Sequence, residues 1–136
     1  MKRILVSLLI IINLLQAEVY TKEDRIKDMT EMARAMNVIQ SGFFYNNFQT
    51  VAAGISDLTD AVSNVKPPLR EDEEKDIMAK YMNQKIQMSN KIVKKINQKA
   101  LTILQRFKAG DSTQAVQAYD KIMKQCMKCH SEMRNW

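Results

Sequence analysis

The chain has two cysteines and one histidine, and all three fall in one pentapeptide, Cys126-Met127-Lys128-Cys129-His130. On a helix, residues three and four apart share a face. The two thiols therefore project together, and His130 lies four residues after Cys126. This is C-x-x-C-H, the spacing that attaches a haem covalently. Each thiol can form a thioether with a vinyl group on one side of the porphyrin, while the imidazole takes an axial position on the iron. The covalent links keep the group in place whichever oxidation state the iron holds.

Other chemistries are served less well by these residues. A thioredoxin-like C-x-x-C belongs to a βαβ setting, and no strand pattern occurs. A structural zinc site takes four ligands, where this cluster offers three. An ordinary disulfide would leave His130 without a role. The reading that follows is one haem c, with Cys126, Cys129 and His130 as its residues.

The elements that must position this motif are helical. Glycine (3) and proline (2) are scarce in the 136 residues, too few for the tight turns of a β-rich fold. Thr21-Lys22-Glu23-Asp24 has the form of a capping box. After it Ile26, Met29, Met32, Met36, Ile39 and Phe43 recur at spacings of three and four, one apolar stripe on a first helix. Ser41-Gly42 and Asn46-Asn47 are its candidate ends.

Phe48, Val51, Ala52, Ile55, Leu58, Ala61, Val62 and Val65 mark a second helix, closed by Pro67-Pro68. Glu71 to Glu74 suits the first turn of a third. Ile77, Tyr81, Ile86, Ile92, Ile96, Leu101, Leu104 and Phe107 are its expected buried side, and Gly110 its C′ residue. Asp111 or Ser112 caps a fourth helix. There Ala115, Tyr119, Ile122, Cys126, Cys129 and Met133 line up, which puts the cysteines on its core face. Four amphipathic helices with short connections predict an all-α antiparallel four-helix bundle with the haem on the last helix.

The first residues read differently. Lys2 and Arg3 precede an apolar run from Ile4 to Leu15, then Gln16-Ala17. This is the pattern of a secretory signal peptide over 1–17, cut after Ala17, and the run is short for a bilayer span. The cytochrome domain is then 18–136, with no stable membrane anchor. Export to the periplasm suits covalent haem attachment, which bacteria carry out beyond the cytoplasm. The 21 basic and 15 acidic residues become 19 against 15 once Lys2 and Arg3 are removed. That mild excess favours acidic partner surfaces. No basic run is interleaved with aromatics, so a nucleic-acid partner is not expected.

A C-x-x-C-H close to the C-terminus, on the last helix of a four-helix bundle, resembles the class II cytochromes c, the cytochrome c′ and cytochrome c-556 group. The other common class of small cytochromes carries the motif near its N-terminus. The resemblance covers essentially all of 18–136. The family typically continues the motif with two variable residues, an aromatic and an arginine. Here the run is His130-Ser131-Glu132-Met133-Arg134, so the arginine matches and Met133 replaces the aromatic. The family often has an arginine four residues before the distal side chain, as Arg25 stands before Met29, with Ile26 in place of the usual glutamine. By that resemblance Arg25 would lie near a haem propionate and Arg134 beside His130.

The resemblance also implies the choice of mechanism. A methionine sulfur on the distal side makes a low-spin electron carrier with His130 and Met29 as axial ligands, Met32 being the second candidate. A distal side without a ligand makes a five-coordinate cytochrome c′ that binds NO or CO. A methionine stripe is also ordinary core material. Lysines on the third helix, with Lys121, Lys124 and Lys128, are expected around a haem edge, where they would steer a redox partner. Phe43, Phe44, Tyr45 and Phe48 are expected to pack in the core; the alternative is a homodimer contact through the first two helices. No enzyme motif is present. A bundle with an incidental C-x-x-C-H is the third reading, and a colourless preparation would favour it.

Overall fold

A computed structural model describes residues 20–65 and 75–133. The leader with its Ala17 cut, Pro67-Pro68, Glu71 to Glu74 and Arg134 lie outside the described residues, as do the side chains of Ile77, Tyr81 and Met133. The described residues form four helices: α1 (Lys22–Phe44), α2 (Phe48–Asn64), α3 (Lys75–Lys108) and α4 (Ser112–Met133). They pack as an antiparallel bundle in which α1 lies against α2, α3 against α4, and α2 against α3. Among the described residues no helix is long and apolar enough to cross a membrane.

The helix starts follow the capping chemistry. Thr21 accepts from the Asp24 N–H at 3.1 Å, and the Asp24 carboxylate accepts from the Thr21 N–H at 2.8 Å. Together these complete the capping box. Asn47 caps α2 by accepting from the Thr50 N–H at 3.0 Å. Of the two candidates for α4, Asp111 is the cap, taking the Gln114 N–H at 3.1 Å.

The stops are equally local. Gly110 has φ +79, and the Asp111 N–H beyond it reaches back to the Arg106 carbonyl at 2.9 Å. Asn46 takes the left-handed conformation (φ 49) after α1, and the Asn47 N–H closes on the Gly42 carbonyl at 2.9 Å. Asn46-Asn47 therefore makes the turn, while Ser41-Gly42 stays inside α1.

Glycine serves close approach instead. A Cβ on Gly42 would meet Val51 Cγ2 at 2.6 Å, and one on Gly54 would meet the Ile39 backbone nitrogen at 2.8 Å. These two sites let α1 and α2 pack backbone to backbone. Both tight turns lie at one end of the bundle, where Phe43 of α1 stands 5.4 Å from Phe107 of α3. The largest fully enclosed side chains of the core are Ile39, Val51, Leu58, Ile103 and Ile122.

Several expected core positions are not core. Ile26 and Leu101 are 52% and 58% exposed, and Ile86 is exposed too. Ala35, Ala100, Ile103 and Ala118 are buried in the interior. On α3 the buried residues Ile92, Ile96, Ala100, Ile103 and Phe107 keep the three-and-four spacing of one helix face, and Leu101, five residues after Ile96, falls off it. Phe44 and Tyr45 are 79% and 81% exposed; they sit in the α1–α2 turn, so only Phe43 and Phe48 of that aromatic group pack against the core.

Candidate functional site

Below the packed end the four helices part around a cavity of about 440 Å³. Its α4 wall carries Tyr119, Met123, Cys126, Met127, Cys129 and His130. The facing α1 wall carries Met29, Met32, Ala33, Met36, Asn37 and Gln40. Val62 comes from α2 and Val65 from its C-cap, and Ser89, Ile92, Val93 and Ile96 come from α3. Among the described residues the lining holds no Asp, Glu, Lys or Arg. Volume and character are those of a small-molecule or cofactor site: mostly apolar, with a few polar groups.

The helical spacing brings the motif together. Cys126, Cys129 and His130 are all half-buried on the cavity side of α4. Burial pushes the Cys126 thiol pKa up, and the neighbouring Cys129 adds to the rise, so Cys126 is a protonated thiol at neutral pH. Met29, Met32 and Met36 are half-buried on α1. The predicted thiols, imidazole and thioethers thus face one space from two helices.

Tyr119 sets how α1 and α4 meet. Its hydroxyl donates to the Met36 carbonyl at 3.3 Å, and its ring stands edge-on to Phe43 with centroids 5.7 Å apart. Burial raises the phenol pKa, with Cys126 adding to it, so the hydroxyl stays a donor. Contact with both Met36 and Phe43 places Tyr119 level with about residue 39 or 40 of α1. The helices are antiparallel and rise about 1.5 Å per residue. His130 is eleven residues beyond Tyr119, and the same rise back along α1 reaches Met29. Cys126 is seven beyond, and the same rise reaches Met32. At the lower end, Lys85 of α3 donates to the Glu132 carbonyl of α4.

Arg25 is not in the lining. It lies in the first turn of α1, with its guanidinium 5.9 Å from the centre of the Tyr20 ring. Among the described residues no lysine lines the cavity either. The sequence reading missed the role of Tyr119 as a clasp, and it missed Met123 and Met127. Met123 precedes Cys126 by three residues, the same-face spacing that would have revealed it.

No protein-family model, curated protein or solved structure gives a significant match to the chain.

Proposed function

We propose that the protein is a c-type cytochrome, an electron carrier holding one haem c through thioethers at Cys126 and Cys129, with His130 and Met29 as axial ligands. The observation that carries this reading is that all four of those side chains line one apolar cavity. The residues fit the group by their chemistry. Two thiols at helical spacing face the same way as an imidazole, and thioethers stand on the wall opposite. Among the described residues the lining carries no charged side chain, and a low-dielectric surrounding is one of the levers by which a protein tunes a haem iron. When bound, the haem supplies an iron that alternates between ferrous and ferric states.

The protein's own part is to hold and to exclude. Cys126 and Cys129 would fix the group to α4, and His130 would hold its iron. The register set by Tyr119 favours Met29 over Met32 and Met36 for the other side. Ile92, Val93, Ile96 and Val62 keep water out. With His130 and Met29 both holding the iron, the protein would act as a carrier rather than an enzyme. The leader motif directs it to the periplasm, and an acidic redox protein is the partner its basic balance favours.

The test is the optical spectrum of the reduced holoprotein, with and without carbon monoxide. It is made in a host that attaches haem to C-x-x-C-H. A low-spin spectrum indifferent to carbon monoxide is expected. A high-spin spectrum that shifts with carbon monoxide would replace this reading with a five-coordinate, gas-binding cytochrome c′. A colourless protein would remove both.

A further inference from the structure

The proposed carrier uses Cys126, Cys129, His130 and Met29, and it leaves sulfur over. Met32 and Met36 on α1, and Met123 and Met127 on α4, line the same cavity. Methionine there would ordinarily be core filling. Yet Met123 and Met127 are 46% and 61% exposed, so they fill no interior space. Among the described residues, seven sulfur-bearing side chains therefore line the cavity, and no carboxylate, Lys or Arg does.

Such a donor set discriminates among metals. Among the described residues no three His, Cys, Asp or Glu side chains gather closely enough to hold a metal ion. Zn(II) typically takes four ligands of those types, so it is poorly served. Soft thiolate and thioether sulfur selects Cu(I). Residues three apart on a helix have Cβ atoms about 5–6 Å apart, which lets two thiolates bracket one ion. The register that places Met29 level with His130 places Met32 level with Cys126.

We propose that the thiol form of the protein, before any haem is attached, binds one Cu(I) ion between Cys126 and Cys129, with Met32 as a thioether ligand from the facing helix. Each thiol releases one proton as its sulfur binds. One Cu(I) and two thiols give a bis-thiolate copper(I) centre and two protons, and copper stays in the +1 state throughout. The site needs no haem. It shares only the two cysteines with the cytochrome reading, and thioether formation would remove it.

The test uses the full chain produced without haem-attachment machinery and kept reduced under argon. Cu(I) is titrated in competition with bicinchoninate, and Zn(II) in parallel against a zinc indicator. The protein is expected to withdraw one equivalent of Cu(I) and no Zn(II). Cys126→Ser and Cys129→Ser should each abolish the withdrawal. Met32→Leu, a close match in size, should weaken it by about tenfold or more with helical circular dichroism unchanged. Failure to withdraw copper, undiminished binding in the double serine variant, equal binding by Met32→Leu, or Zn(II) uptake would each overturn the proposal. The haem reading stands or falls separately. A colourless preparation from a haem-attaching host would sink the cytochrome and leave a positive copper titration intact. A red holoprotein whose thiol form ignores copper would do the reverse.

Discussion

Single side chains decide what the cavity does. Met29 and Met36 both line it from α1, but only Met29 is level with His130 in the register that Tyr119 sets. Replacing Met29 by leucine keeps the volume and removes the sulfur. In the haem-loaded protein Met29→Leu should open the iron to carbon monoxide, while Met36→Leu should leave the spectrum as it was. Equal effects from the two would mean that the register does not select the ligand. The glycines allow a test that needs no haem. At Gly54 a methyl group would press on backbone, the Ile39 nitrogen at 2.8 Å and the Ala35 oxygen at 3.0 Å, and backbone cannot swing aside. Gly54→Ala should therefore cost about 1–3 kcal/mol through forced separation of α1 from α2, despite alanine's better helix propensity. A urea melt reads the result, and a gain in stability would show that the helices part freely.

At the scale of elements, the start of α1 is held by a motif that titrates. The Thr21 backbone N–H, and then its hydroxyl, hold the Asp24 carboxyl below the usual carboxylate range. A carboxyl lowered by folding contributes stability above its unfolded pKa of about 3.9, and the contribution is lost as pH falls through the lower folded value. Thr21→Ala should cost about 1 kcal/mol at neutral pH, and the gap from the parent protein should narrow as pH drops below about 4. Thermal melts at pH 7 and pH 3 measure it; a gap constant with pH would mean that the Thr21 hydroxyl plays no part in holding the Asp24 carboxylate, since the Thr21 N–H is kept in the variant. Such motifs were readable in advance because their chemistry is local. The Thr21 box, the Gly110 stop and the Cys126 to His130 face each depend on residues within a turn of one another. Leu101 stands five residues after Ile96 and is off the buried face by spacing alone, whereas Ile26 misled because burial depends on what a neighbouring helix covers. Alternating apolar residues on a long helix do not say which neighbours those are. Tyr119 escaped for the same reason: its partner Met36 is 83 residues away, and nothing near Tyr119 in the chain points to it.

For the whole molecule, charge is divided between the two helical hairpins. Residues 20–65 hold four basic against six acidic side chains, and residues 75–133 hold twelve against four. On α3, Lys91, Lys95 and Lys99 follow one another at four-residue spacing; on α4, Lys121, Lys124 and Lys128 do so at three and four. Like charges so placed repel by a few tenths of a kcal/mol per pair, roughly 0.2–0.5, so folding gains nothing from the rows. Lys124 has an acidic neighbour in Asp120 at 2.7 Å, while Lys91, Lys95, Lys121 and Lys128 are exposed to solvent. On α4 the row lies away from Met123 and Met127, which face the cavity. A basic face of this kind steers an acidic protein from a distance and turns it before contact. Reversing Lys95, Lys121 and Lys128 to glutamate should slow electron transfer to a small acidic flavodoxin by about tenfold or more at low ionic strength. The difference should fade towards 1 M salt, where the screening length is about 3 Å. The optical spectrum should not change, since none of the three lysines lines the cavity, and Arg34→Glu on the acidic hairpin should alter the rate far less. Stopped-flow rates at low and high salt decide it. A rate indifferent to the three reversals would make these lysines an ordinary solvated surface and move the docking contact to the apolar rim around Met123 and Met127.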